Sequence, residues 1–311
     1  MENSIKIVLL CGGRFAFPAL QLLAFEKFLY AVAIGKGSEN IVDALENECT
    51  NNNMKFNHFP NKAKIKEMKD WINEIQPDYI FSISFPFLIP EEVLKYGTDK
   101  FINFHPGPLP RYRGVMPIFE VLKNQESHTA ICAHFMNANF DEGNIIFNDP
   151  ILINDNETYG SLTVKLSKRV AQVALNMANM LQFAKSIPSI IQDEDFAYYY
   201  EKPTLSDTYI NWKQMDAAEI VALINACNPW NTGADTTFIG QPAKLIEARV
   251  IDKSSNENQP GTIIEILDEN QICIATADNK QIAVTILQTQ EGIQTVKQLH
   301  RKLNLMNLAF N

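Results

Sequence analysis

At 311 residues the chain exceeds one ordinary domain, and 46% apolar with 20% charged residues is the composition of a protein with full cores, so two domains are expected. A formal net charge of −9 argues against a broad nucleic-acid surface, which draws its affinity from clustered Lys and Arg, and leaves room for a local basic patch, whole-chain charge being a weak discriminator. No apolar run nears the roughly 20 residues that span a bilayer, and Met1-Glu-Asn-Ser-Ile-Lys-Ile lacks the basic-then-apolar pattern of a secretory signal.

The run Ile5 to Leu10 ends in Cys11-Gly12-Gly13 and is followed by helical spacing from Phe15 to Phe25, which reads as a buried parallel strand turning into a helix. Tyr30 to Ile34 is a second strand, Ile41 to Cys49 a helix, and Met54 to Phe59 a weaker strand. Ala63 to Ile75 reads as one helix, residues 77–84 as a strand, and Phe101 to Phe104 as another that enters the densest Pro/Gly segment. This alternation predicts an α/β fold, a doubly wound, mostly parallel sheet with helices on both faces. Thr129 to Met136 and Asn144 to Leu152 read as two strands joined by a loop carrying Asp141, and Thr158 to Phe183 as a long amphipathic helix. Residues 189–206 are polar and tyrosine-rich, the character of a linker. Beyond them a short helix (Ala217 to Ala226) precedes regularly spaced short strands, which predict a small antiparallel barrel. The expected division is a catalytic domain over 1–188, a linker over 189–206 and a barrel domain over 207–311.

Chemistry concentrates in Phe101-Ile-Asn-Phe-His-Pro-Gly-Pro-Leu-Pro-Arg-Tyr-Arg-Gly114. Asn103 and His105 lie two apart at a strand end, so their side chains leave one face, at the carboxyl edge where open α/β sheets bind ligands. The prolines that follow stiffen the backbone beside the imidazole. An isolated Asn-x-His more often satisfies loop backbone groups, and an Asp in a turn such as Asn139-Phe-Asp-Glu-Gly143 is most often an Asx-turn residue.

Taken together, these residues resemble the folate-dependent formyltransferases: Asn-x-His, a proline-rich loop with Arg-Gly, then an Asp-x-Gly loop. Ile7-Val-Leu-Leu-Cys-Gly-Gly-Arg-Phe-Ala16 is similar to the family's first strand and turn. Ile210-Asn-Trp212, Asn228-Pro-Trp230, Gly240-Gln-Pro242 and Pro260-Gly-Thr262 resemble the C-terminal barrel of its methionyl-tRNA branch. The resemblance implies a Rossmann-like formyltransferase domain, an OB-like β-barrel domain, and 10-formyltetrahydrofolate as formyl donor to a primary amine. It implies Asn103 as oxyanion donor, His105 as oxyanion stabiliser or proton relay, and Asp141 as the group that orients and supports His105. Phe85, Phe87, Leu88 and Pro90 are expected to wall the pterin pocket together with Gly107, Pro108, Leu109 and Pro110, with Asn139 and Gly143 closing the other side. The apolar members of that set read equally as core. Arg111 and Arg113 are expected to meet the acceptor or the folate glutamate tail, and as loop arginines read equally as surface charge.

Other features read as bland. Gly12 and Gly13 do not form G-x-G-x-x-G, so a nicotinamide dinucleotide is not expected. His128 and His134 flank a strand without the neighbours a metal needs, and the five scattered cysteines form no zinc motif, so no metal is expected and a reduced, cytoplasmic setting fits. Tyr198-Tyr-Tyr200 reads as linker packing. For the acceptor, the stretch after the second strand, Gly35 to Cys49, is short and acidic where the methionyl-tRNA branch carries a long basic loop. His105-Pro-Gly-Pro-Leu-Pro110 also departs from that branch's His-Gly-Ser-Leu-Leu-Pro. Both favour a small or carrier-tethered amine, such as a nucleotide-linked amino sugar, over tRNA, although the barrel resembles the tRNA enzyme. A formyltetrahydrofolate hydrolase and a non-catalytic folate binder stay open, and nothing in the sequence fixes the oligomeric state.

Overall fold

The structure is a computed structural model and describes residues 5–311. Strand β1 (Ile7–Cys11) is buried at all five positions, as a parallel strand covered on both faces requires. It leads into α1 (Phe17–Phe25), with Pro18 in the first turn where a missing N–H costs nothing. There follow β2 (Leu29–Ile34), α2 (Glu39–Asn51), β3 (Lys55–His58), α3 (Lys62–Ile65), α4 (Met68–Ile75), β4 (Tyr79–Ile83), α5 (Glu91–Leu94) and β5 (Phe101–His105). The single helix expected over 63–75 is thus two. Ile65 and the Met68–Ile72–Ile75 stripe both reach the core, and no glycine or proline marks the break between them. Next come β6 (Arg113–Gly114), α6 (Pro117–Lys123), the pair β7 (His128–Phe135) and β8 (Ile145–Leu152), and α7 (Tyr159–Leu181).

The seven-stranded sheet has the order β3-β2-β1-β4-β5-β7-β8. Pairs from β3 through β5 are parallel, while β5–β7 and β7–β8 are antiparallel. The strand order reverses between β1 and β4, the switch point of a doubly wound sheet, and open α/β sheets bind ligands there. On one face Val8, Leu10, Ile72, Ile80 and Phe101 share a core, fully shielded from solvent. Each such side chain contributes about 1.5–3 kcal/mol relative to staying exposed.

The chain divides into two compact units, the first comprising residues up to Pro117, His128–Leu152 and Thr163–Tyr200, the second Ile118–Ser127, Ile153–Leu162 and Glu201–Asn311. The stretch 189–206, read as a linker, divides between them at Tyr200. Its first part carries β9 (Tyr199–Tyr200), which pairs in parallel with β6, and Tyr200 stacks on Tyr112 at 5.3 Å between ring centroids. Residues of α6 join the second unit because Phe119 meets Trp230 edge-on at 5.5 Å and Lys123 pairs with Asp207.

The second unit adds α8 (Leu205–Thr208), α9 (Ala217–Cys227), β10 (Ala234–Phe238), β11 (Gln241–Ile251), β12 (Ile263–Leu267), β13 (Gln271–Ala275), β14 (Gln281–Thr289), β15 (Gly292–Thr295) and α10 (Val296–His300). Asp216 and Glu219 cap α9 reciprocally, satisfying two otherwise orphaned N–H groups. The strands run antiparallel in the order β10-β11-β14-β13-β12, with β15 on β14. The two open edges are joined by residues near the C-terminus, where Phe238 bridges Phe310 and Thr262 bridges Ala309. This closes the expected barrel and removes its free edges. Phe310 then packs on Phe238 and Trp212, whose indole N–H donates to Thr236 Oγ1 at 2.9 Å.

Candidate active site

Strand β5 lies between β4 and β7, so Asn103 faces Ser82 on one side and His134 on the other. The pairing with His134 is what the sequence reading missed. His134 is buried, and its Nδ1 lies 2.8 Å from the Phe135 carbonyl oxygen. A carbonyl only accepts, so Nδ1 carries a proton and leaves Nε2 of the neutral ring as an acceptor. The Asn103 amide donates to that nitrogen at 3.0 Å and to Asp141 Oδ1 at 3.4 Å. The second bond is at the outer limit of a hydrogen bond, so one N–H is held firmly while the other is easily taken by a ligand oxygen. The sequence signal for His134 was a polar residue directly after the apolar run Ala130 to Ala133.

His105 is buried between two oxygen acceptors. Its Nε2 donates to the Tyr112 carbonyl at 2.7 Å, and its Nδ1 lies 3.5 Å from Asp141 Oδ1. Burial alone would favour the neutral ring, but the Asp141 carboxylate and the Tyr112 carbonyl outweigh it, and the imidazole pKa is raised. Asp141 is the reciprocal case. Burial would raise its carboxyl, but the charge of and hydrogen bond from His105 hold it well below the usual carboxylate range. Each partner thus favours the charged form of the other, and Asp141 Oδ1 lies between the Asn103 amide and His105 Nδ1.

Local chain geometry brings Asp141 there. Its φ of 59° is left-handed, a conformation Asp tolerates better than most residues. Its Oδ2 accepts from the Gly114 N–H at 3.0 Å. Gly143 is required two residues on, because a Cβ there would stand 1.7 Å from the Phe135 carbonyl oxygen. Gly143→Ala is expected to displace the loop, lowering stability by about 3 kcal/mol, the upper end of overpacking costs, with loss of the Asp141 placement. A denaturant melt checks the first and the His105 titration the second. Gly107 likewise lets the proline-rich turn close on the imidazole, since a Cβ would lie 3.0 Å from His105 Nε2.

The remaining expected residues fall into three groups. Phe85 and Phe87, 5.9 Å apart, are partly buried against the core, and Leu88 and Asn139 are exposed. Pro90, Pro108, Leu109 and Pro110 are partly exposed, with Gly107 buried beside His105. A cleft of about 590 Å³ borders this region, lined among others by Leu94, Met136, Asn137 and Gly143, but none of Asn103, His105 and Asp141 lines it. Arg111 is exposed with its guanidinium over the Tyr112 ring. Arg113 departs from the expectation. It is buried, and its fork is engaged by Gln192 and Glu194 rather than presented outward. Nor is the Gly12 turn a nucleotide cradle, because Pro86 already fills the space where Cβ atoms on Gly12 and Gly35 would stand.

Among the described residues no helix is long and apolar enough to cross a membrane, and no cluster of His, Cys, Asp or Glu suits a metal ion. All five cysteines are free and buried.

Comparison with known proteins gives this geometry a family. Residues 33–177 match the family described as formyl transferase, and residues 203–302 match the formyl transferase C-terminal domain. A methionyl-tRNA formyltransferase of Acetivibrio thermocellus is 28% identical over 84% of this chain and 85% of its own length. One of Halalkalibacterium halodurans is 30% identical over 74% of this chain and 71% of its own. Among solved structures, WlaRD, a sugar 3N-formyl transferase crystallised in the presence of dTDP and 5-N-formyl-THF, superposes with a TM-score of 0.71 at 21% identity, covering 91% of this chain and 97% of that one. The fold, both matched domains and the relatives agree, and the chain belongs to the folate-dependent formyltransferase family.

Proposed function

We propose that this protein transfers the formyl group of 10-formyltetrahydrofolate to the primary amine of a small or carrier-tethered acceptor, such as a nucleotide-linked amino sugar. The observation that carries the reaction is the buried Asn103–His105–Asp141 cluster, an amide donor beside a paired imidazole and carboxylate. The donor supplies an activated formyl carbon. The amine nitrogen bonds to that carbon, the bond to the folate nitrogen breaks, and the proton lost by the amine ends on the folate nitrogen. In this reading the loosely held N–H of Asn103 is offered to the developing oxyanion. His105, its Nε2 committed to Tyr112, acts from Nδ1 by adding positive charge next to that oxygen. Asp141 keeps His105 charged and lies within reach of the proton leaving the amine.

For the acceptor, the connection between β2 and α2 supports this reading. Only four residues, Gly35 to Ser38, separate the two elements, and α2 carries Glu39, Asp43, Glu46 and Glu48 with no Lys or Arg. A polyphosphate backbone is repelled by such a face, whereas a compact acceptor need not approach it. A second reading, methionyl-tRNA, is favoured by relatives that align across both domains. Tetrahydrofolate release is the test, with charged initiator tRNA run against a panel of nucleotide-linked amino sugars. Turnover with an amino sugar and none with tRNA is the expected outcome; turnover with tRNA alone would move the binding surface to the barrel domain and overturn the electrostatic argument.

A further inference from the structure

The segment after α7 returns to the site and closes around the Asp141 loop. Gln192, at 5% exposure, sits at its centre. Its Nε2 donates to the carbonyl oxygens of Asp141 and Gly143, each at 2.7 Å. Its Oε1 accepts from Arg113 Nε at 3.1 Å and Nη2 at 2.9 Å. Both donors and both lone pairs of the carboxamide are therefore used. Arg113 is fixed from the far side by Glu194, with Nη1 at 3.0 Å and Nη2 at 2.7 Å, a fork that holds orientation as well as charge. The next residue, Gly114, donates its N–H to Asp141 Oδ2. One connected frame thus grips the loop by two backbone carbonyls and the Asp141 side chain by a carboxylate oxygen, holding a residue of left-handed φ in place.

We propose that Gln192 is a positioning residue for formyl transfer, acting by pinning the Asp141 loop through its carboxamide while Arg113 and Glu194 hold that carboxamide in orientation. Gln192 reaches no reacting atom itself. Its effect passes through Asp141, whose Oδ1 lies 3.5 Å from both His105 and His134. A carboxylate that wanders by an ångström loses its hold on the His105 ring, and misplacement on that scale costs on the order of 10²-fold in rate. The inference rests on the catalytic reading of Asp141 and His105 given above.

The test exchanges the carboxamide for a side chain of equal length without donors, Gln192→Met, and follows the His105 imidazole by NMR of histidine-labelled protein. The charged and titratable groups facing His105 are few. Asp141 stands at Nδ1, His134 lies beyond that carboxylate, and Cys132 is the cross-strand neighbour, a neutral thiol pushed up to about 11 by burial. Loosening Asp141 leaves burial, which favours the neutral ring, less opposed. The His105 midpoint is expected to fall by on the order of half a pH unit, with kcat lower by about 10–100-fold and the acceptor KM within about threefold. A folded variant with an unmoved midpoint overturns the proposal, even if its kcat drops. Should Gln192→Met fail to fold, Glu194→Ala at an exposed position loosens the same frame from outside; a smaller fall in the midpoint is expected, and none overturns the proposal. The titration needs no turnover, so it stands or fails separately from the donor and acceptor assignments.

Discussion

Asn103→Ala is expected to lower kcat by on the order of 10²–10³, the cost of losing one preorganised oxyanion donor, with little change in the folate KM. The amide is aimed before any substrate arrives: its N–H groups point at His134 Nε2 and Asp141 Oδ1, and the strand pairing of Asn103 with His134 sets the distance. In the proposed mechanism only the long 3.4 Å bond to Asp141 has to give way, replaced by the developing oxyanion. A kcat within threefold of wild type, in a protein of unchanged melting temperature, would show that the amide is a structural strap between β5 and the Asp141 loop.

Asp141→Asn is expected to lower kcat by on the order of 10²–10⁴, the range for a positioned acid–base group, and to invert the His105 titration. With the carboxylate present the imidazole pKa is raised despite burial. With it gone, burial dominates and His105 titrates below its ordinary value of about 6.5. The stability consequences have a definite sign. The depressed carboxyl of Asp141 contributes stability that is present above its unfolded pKa of about 3.9 and lost as pH falls through the folded value. The raised imidazole of His105 contributes stability that is present below about 6.5 and lost as pH rises through its folded value. Denaturant melts between pH 3 and pH 9 should therefore show both slopes diminished in Asp141→Asn. Unchanged slopes, or a His105 midpoint that stays raised, would mean that another group charges the imidazole.

Much of the site was legible because two simple periodicities decide it. The two-residue spacing on a strand puts Asn103 and His105 on one face, and the Asp141-Glu-Gly143 turn joins β7, which pairs with β5, to β8, which pairs with β7. What was not legible depends on pairings between distant residues. His134 becomes a site residue only because the antiparallel register sets it opposite Asn103; read along its own strand it is an isolated histidine. Arg113 reads as a surface loop cation, and only partners about 80 residues away bury it. Residues 189–200 look like a linker because their polarity marks exposure, whereas Gln192 spends its polar atoms inside. The barrel was visible as a series of short strands, but not its closure, which hangs on bridges by Ala309 and Phe310.

In the proposed reaction the chain moves a formyl group onto an amine nitrogen through this cluster. The most direct measurement supplies 10-formyltetrahydrofolate labelled in the formyl carbon, with and without a nucleotide-linked amino sugar, to wild type and Asp141→Asn. Label on the amine nitrogen in step with tetrahydrofolate release, dependent on acceptor and abolished in the variant, is the predicted result. Label recovered as formate at the same rate with or without the amine would contradict it and make water the acceptor.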